Sequence, residues 1–309
     1  MGKTAFVFPG QGAQAVGMGK DVYDSVEKAR SFFERADEAL GFKLSDIIFN
    51  GPDEQLKQTV NTQPALLTVS IALLELFKDR GLKPDYVAGH SLGEYSALVA
   101  AGVMSFEDAV RTVRLRGQFM EQAVPSGQGA MAAVLGAERE ALSSLCAAIS
   151  AEGNAVELAN VNCPGQIVVS GTAAGVAAVV ERGKEAGAKR VIPLEVSGPF
   201  HSSLMNPAAE RLAEVLAAIP MQDASVPVIA NVTAGPVSEA AEIRNLLTEQ
   251  VYSPVLWEDS ISWLIRQGVD TFVEIGSGSV LTGLIKKIDR TVTVHTINSL
   301  SSLETAVTA

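Results

Sequence analysis

This 309-residue sequence contains only two cysteines and three histidines. Cys146 and Cys163 are too few for a disulfide framework and stand at no metal-ligand spacing. With only His90, His201 and His295 available, a multi-histidine metal site is not expected. Basic residues are scarce, 24 against 35 acidic ones, which leaves a net charge of −11. The chain as a whole therefore repels nucleic acid and anionic membrane surfaces, and any anionic partner must meet a local basic patch. No apolar run reaches the ~18 residues that cross a bilayer. The opening residues, Met1 to Thr4 running into Ala5-Phe6-Val7-Phe8, lack the apolar stretch of a signal peptide. A soluble, cytoplasmic protein with no nucleic-acid or membrane partner is expected. What the sequence does have is 47% apolar and 19% charged residues, enough for a sizeable core. Its length suggests roughly two domains.

Glycine and proline punctuation separates alternating strand-like and helix-like segments, the pattern of an α/β architecture. Thr4 to Phe8 reads as a buried strand ended by Pro9-Gly10. Asp21 to Leu40 reads as one amphipathic helix. Thr62-Gln63-Pro64 opens a helix whose apolar residues cover every face up to Phe77, so it is expected in the middle of the larger domain. From about Gln128 to Val196 the predicted order is β-α-β-β-α-β, the split ferredoxin-like unit. The fold class expected is thus α/β: a hydrolase-like larger domain with a parallel sheet, residues 1–127 and 197–309, and an inserted ferredoxin-like subdomain, residues 128–196.

Gly89-His90-Ser91-Leu92-Gly93 matches the G-x-S-x-G pattern of a nucleophile elbow, which requires a strand, a tight turn and a helix. Tyr86 to Ala88 supplies the strand end, and Leu92 to Ala101 is rich in helix formers. Ser91 would then stand at a helix N-terminus, where free backbone N–H groups can stabilise an oxyanion. The bland alternative is a glycine-flanked serine in an ordinary turn. A serine nucleophile needs a base, and His201 has the better position, in a loop between the two predicted domains. His90 is adjacent to Ser91 and diverges from it, and His295 lies near a predicted strand, so both read as structural.

Arg116 is the other misfit. On the helix that starts at Ser105, an S-x-x-D cap, Ala109, Val113, Met120, Ala123 and Val124 fall within one arc of about 100°. Arg116 is the only charged residue pointing into it. Because an arginine stays protonated, it must be paired there, either with a core carboxylate or with a substrate carboxylate in a cleft. Its position one short helical hairpin after Ser91 favours the cleft. The Gly10-x-Gly12-x-x-Ala15 loop formally fits a dinucleotide fingerprint, but it is followed by a helical stretch and not by a second strand ending in an acid, so it is rejected as one. Its glycines would instead let backbone N–H groups approach a reacting centre.

Taken in order, Phe8-Pro9-Gly10-Gln11-Gly12, Thr62-Gln63-Pro64, Gly89-His90-Ser91-Leu92-Gly93-Glu94-Tyr95, Arg116-Gly117, Asn162-Cys163-Pro164-Gly165-Gln166, Gly198-Pro199-Phe200-His201-Ser202, Gln250-Val251-Tyr252 and Glu274-Ile275-Gly276 resemble the bacterial malonyl-CoA:acyl carrier protein transacylase family. The resemblance covers nearly the whole chain, and its one small departure is Ala13, where a serine is common. It implies Ser91 as nucleophile, His201 as general base and acid, and the Gln250 backbone carbonyl as the group orienting His201. It implies the Gln11 and Leu92 N–H groups as oxyanion hole and Arg116 as clamp on the malonyl carboxylate. Asn162 would be a further substrate contact, and Phe200 would crowd the malonyl α-carbon.

The reaction so implied is ping-pong transfer from malonyl-CoA to acyl carrier protein, with no metal or bound cofactor, in a cytosolic monomer. Carrier proteins are acidic, so a basic patch is needed on this acidic chain, and Lys286, Lys287 and Arg290, helped by Lys189 and Arg190, are the candidates. A serine hydrolase and a non-enzymatic carrier-binding module are the competing readings. A buried cation beside the nucleophile weighs against a general esterase, and so does the long stretch of chain after His201.

Overall fold

The computed structural model describes residues 2–305. Its strands, in chain order, are β1 (Lys3–Phe8), β2 (Tyr86–Gly89), β3 (Gly129–Leu135), β4 (Val156–Cys163), β5 (Gln166–Thr172), β6 (Arg190–Pro193), β7 (Val228–Ile229), β8 (Pro236–Val237), β9 (Val255–Leu256), β10 (Val269–Ile275) and β11 (Thr293–Ile297). They form two sheets embedded among helices, a mixed α/β architecture. The first sheet has the order β11-β10-β1-β2-β7-β8. All its pairings are parallel except the β7–β8 edge. The residues from Ala5 to Phe8 are at most 1% exposed. An uninterrupted apolar run is what a central parallel strand needs, because helices cover both of its faces.

The second sheet has the order β6-β3-β5-β4-β9. The β3, β4, β5 and β6 pairings are antiparallel, and β9, from a later part of the chain, adds to β4 in parallel. One face of the β3–β6 strands packs on the helices Arg139–Ala151 and Ala173–Arg182 around Leu142, Ile149, Val169 and Val179.

Three local expectations need correction. The stretch from Asp21 to Leu40 is two helices, Lys20–Ser25 and Glu27–Leu40, parted by an extended Val26 (φ −130°, ψ 113°). The break lets Val22 and the Phe32/Phe33 face each turn to the core. The buried helix starts earlier than its proline suggests, running Thr59–Phe77 with Pro64 inside it. Proline cannot donate to the carbonyl four residues back, and the Val60 carbonyl instead accepts from Arg114 Nη1 at 3.4 Å. The last predicted strand of the second sheet is also shorter, ending at Pro193 and not reaching Val196. The Leu194 N–H still donates to the Met131 carbonyl at 2.9 Å, and the chain then turns away, with the Val196 N–H donating to the Leu194 carbonyl at 3.1 Å.

A related expectation was that no segment could cross a membrane. By length and composition the helical run Thr59–Arg80 could, but 83% of its apolar window is buried inside the fold. It is the core helix foreseen from its all-round hydrophobicity, packed against the helix Phe106–Gln122, which Ser105 caps by accepting from the Asp108 N–H.

Candidate active site

Strand β2 ends at Gly89, the chain turns through Ser91 at φ 51°, and the helix Gly93–Ala100 begins at once. A positive φ is costly for a residue with a side chain, so the surroundings must enforce it. Two close approaches do so. A methyl on Gly89 would lie 1.9 Å from the Gly93 carbonyl carbon, and one on Gly93 would lie 2.1 Å from the Phe8 carbonyl oxygen. Only glycine at both positions lets the turn press against β1. Gly10 plays the matching part from the other side, where an added methyl would meet the His90 carbonyl oxygen at 2.2 Å.

Across the cleft, His201 is also held at a positive φ, 56°, and is 3% exposed. Its Nε2 lies 2.7 Å from Ser91 Oγ, and its Nδ1 lies 2.8 Å from the Gln250 backbone oxygen. A carbonyl oxygen only accepts, so Nδ1 carries the proton, and Nε2 presents a lone pair to the Ser91 hydroxyl. Burial, followed by the Arg116 cation, pushes the His201 pKa down to about 3. The imidazole is therefore neutral, the form a base requires.

Arg116 is 1% exposed, and its hydrogen bonds go to neutral oxygens: Nη1 to Gln63 Oε1 at 2.8 Å, Nη2 to Gln250 Oε1 at 2.9 Å and to Ser91 Oγ at 3.2 Å. Its Nε has no partner. The cation is thus desolvated beside the serine without a carboxylate on its fork.

Gln11 and Leu92 flank the serine in the wall of a cleft of about 240 Å³. Neither N–H has a backbone or side-chain acceptor among the described residues. The Gln11 side chain is tied to Thr59 Oγ1 at 3.1 Å, which fixes that loop. Phe200 and Asn162 line the same cleft. Asn162 Oδ1 lies 2.8 Å from His90 Nε2, so His90, whose pKa burial lowers and which also lines the cleft, braces Asn162. His295 lies on β11 opposite Val273, away from the cleft lining.

The five basic residues fall into two situations. Lys287 Nζ donates to Gln166 Oε1 at 3.1 Å, and Gln166 stands in register with Leu135, which stands in register with Arg190. Lys189 donates its N–H to the Leu135 carbonyl at 2.7 Å. Lys287, Lys189 and Arg190 thus gather at one end of the second sheet around Gln166, which is itself a residue of the cleft lining. Lys286 instead turns its ammonium to the Val292 carbonyl, and Arg290 is exposed just beyond the end of the same helix.

Sequence reasoning missed a buried polar set behind the nucleophile. Asn231 Oδ1 accepts from the Ser91 N–H at 2.7 Å, and its Nδ2 donates to the Gly89 carbonyl at 2.7 Å. Glu94 Oε2 accepts from the Asn231 N–H at 3.0 Å and from Gln250 Nε2 at 2.8 Å. Glu94 could have been noticed as an acid one turn after Ser91 in an otherwise apolar helix. Asn231 carries no such signal.

The same arrangement of chain occurs elsewhere. The acyl transferase domain model matches residues 5–305. A malonyl CoA-acyl carrier protein transacylase of Bacillus subtilis is 58% identical over 307 residues, spanning 99% of this chain and 97% of its own. An acyl carrier protein S-malonyltransferase crystal structure from Vibrio cholerae superposes with a TM-score of 0.96 at 45% identity, covering 99% of this chain and 100% of that one. A malonyl-transacylase solved with a type II PKS acyl-carrier protein superposes at 0.95 with 43% identity, covering 98% of each chain. Elbow, histidine and buried arginine therefore sit on a scaffold these proteins share end to end, and the chain belongs to the acyl transferase family, among its malonyl CoA-acyl carrier protein transacylases.

Proposed function

We propose that this chain transfers a malonyl group from malonyl-CoA to the phosphopantetheine thiol of an acyl carrier protein, by way of a malonyl ester on Ser91, and so supplies fatty acid or polyketide elongation. The observation that carries this reading is the buried Arg116 fork, 3.2 Å from Ser91 Oγ and free of any carboxylate contact. An acyl group with its own terminal carboxylate is the substrate that completes such a fork. The relatives, a malonyl CoA-acyl carrier protein transacylase and a malonyl-transacylase solved with its acyl-carrier protein, support the same acyl group and the same acceptor.

In the proposed cycle the malonyl carboxylate binds Arg116, and the thioester carbonyl oxygen faces the Gln11 and Leu92 N–H groups. Ser91 Oγ attacks the carbonyl carbon as its proton passes to His201 Nε2. The tetrahedral intermediate collapses, the C–S bond breaks, and His201 returns the proton to the departing CoA sulfur. The phosphopantetheine thiol then loses its proton to His201 and attacks the ester, and Ser91 leaves with that proton. The Gln250 carbonyl holds the imidazole in its working tautomer throughout. Carboxylate binding at Arg116 also neutralises the cation that depresses His201, which raises the basicity of the imidazole once the correct substrate is seated. Phe200 crowds the α-carbon and disfavours a methyl branch, and Asn162 contacts the acyl-thioester portion.

Residues 1–127 and 197–309, of which 1 and 306–309 lie outside the described residues, are assigned to a hydrolase-like part that carries the elbow, and residues 128–196 to a ferredoxin-like part extended by β9. The antiparallel order β6-β3-β5-β4 supports the latter. Lys287, Lys189, Arg190, Lys286 and Arg290 form the carrier-protein docking patch. The protein works as a cytosolic monomer without metal or bound cofactor, CoA and phosphopantetheine being carriers in its substrates, and without nucleic-acid or membrane partners.

Intact-protein mass spectrometry tests the proposal. Brief incubation with malonyl-CoA gives a malonyl adduct that Ser91→Ala abolishes, and added holo acyl carrier protein takes the label. An adduct lost to water in the presence of the carrier would make the chain a hydrolase and overturn the reading.

A further inference from the structure

Glu94 has no assigned part in the transfer, yet it is 2% exposed in the first turn of the elbow helix, a costly position for an acid. Its hydrogen-bond partners are the Asn231 N–H and Gln250 Nε2, not the buried cation nearby. Gln250 stands between the two charges. Its Nε2 donates to Glu94 Oε2 at 2.8 Å, and its Oε1 accepts from Arg116 Nη2 at 2.9 Å. A single amide thus separates acid from guanidinium, and its orientation is fixed because a carboxylate only accepts and a guanidinium only donates. The amide is pinned further by donating to the Ser91 carbonyl at 3.1 Å and to Asn231 Oδ1 at 3.2 Å.

We propose that Glu94 is the counter-charge of Arg116, held one amide away by the Gln250 side chain so that the arginine is partly neutralised while its fork meets only neutral oxygens, which a substrate carboxylate can displace. Glu94 is in this sense a positioning residue that tunes acyl selectivity, and the proposal rests on the malonyl reading above. In direct contact it would compete with the substrate for the same N–H groups. With no negative charge nearby, the bare cation would hold an acyl carboxylate more strongly. The Gln250 backbone orients His201, so this one residue ties the base to the clamp.

The relay has a consequence in pH. Burial, opposed by the bonds from Asn231 and Gln250 and by the Arg116 charge, moves the Glu94 pKa up to about 7. The other ionisable groups around it are Arg116 on the neighbouring helix, Tyr95 beside it and His201 beyond Ser91. Tyr95 is raised above its ordinary range by burial, and His201 is held at about 3, so neither changes charge near neutrality. As pH falls through about 7, Glu94 becomes neutral, the cation loses its counter-charge, and preference for an acyl group bearing a carboxylate rises.

The experiment measures acylation of the full chain by malonyl-CoA and by acetyl-CoA and takes the ratio of the two second-order rate constants. In the wild type the ratio is expected to climb about fivefold between about pH 8 and about pH 6. In Glu94→Gln, which keeps an acceptor for both N–H donors but removes the charge, it stays at the high value across that range. Gln250→Glu, which keeps the backbone carbonyl but puts a carboxylate on the fork, lowers the ratio about tenfold or more. A ratio that is flat with pH in the wild type, or that at about pH 8 is unchanged or lower in Glu94→Gln, would overturn the relay; the wild-type series needs no variant to fold. Absence of any malonyl adduct on Ser91 would overturn the malonyl reading itself.

Discussion

Arg116→Ala removes a cation whose three hydrogen bonds go to neutral oxygens, so the selective loss falls on whatever carboxylate the fork receives. Malonyl transfer is expected to drop on the order of a hundredfold more than acetyl transfer. Parallel steady-state assays with the two thioesters check this, and equal losses would make Arg116 structural. That arginine was legible in the sequence because helical phase alone turned a charge into an apolar arc. His201 was legible by scarcity, since the other two histidines had structural positions. Asn231 was not, because a polar residue after a two-residue strand looks like any loop residue until Ser91 and Gly89 close around it. The Gln250 side chain was equally hidden, being one polar residue at the end of a helix until Glu94, Arg116 and Ser91 converge on it.

For the elbow, sequence and structure agree on what matters, namely small residues on both sides of the serine. Gly93→Ala forces a methyl against the β1 backbone, which cannot rotate away as a side chain would. Overpacking of this kind costs ~1–3 kcal/mol or more, lowering Tm by roughly 5 °C in a chain of this size. Thermal melting with the malonyl adduct assay checks it, and the adduct should be lost in step. Gly283→Ala is the matching contrast, since an added methyl at this exposed position of the helix Val280–Ile288 meets nothing within 4 Å. It is expected to stabilise by about 0.5–1 kcal/mol through helix propensity. Element types were readable from hydrophobic periodicity, whereas the breaks at Val26 and the start before Pro64 were not. Both depend on which face packs and on which neighbour satisfies a freed carbonyl, and these are tertiary facts.

At the scale of the whole molecule, a chain of net charge −11 that receives an acidic partner must do so at a small basic area. Charge reversal at Lys287 and Arg190 together is expected to raise the half-saturating concentration of carrier protein several-fold, and added salt is expected to erase the difference as it screens both proteins. Transfer from preformed malonyl-enzyme, measured against carrier concentration at two ionic strengths, reads this directly. An unchanged concentration dependence would remove these residues from the docking surface. The patch itself joins Lys287, from the helix before β11, to Lys189 and Arg190 at the start of β6, and only the register of β3, β5 and β6 brings them to one end of the sheet.

The sequence alone determined the α/β alternation, the all-round apolar core helix and the glycine-bracketed serine. It also singled out the misplaced arginine, because these depend on residue types at short, fixed spacings. Tertiary structure decided the rest. It set the 2.7 Å contact between Ser91 and His201, residues 110 positions apart, and chose a backbone carbonyl as the histidine's orienting group. It also ran β9 alongside β4 and inserted an amide between Glu94 and Arg116. Those outcomes depend on how distant segments pack, and local periodicity carries no information about which buried polar groups will find one another.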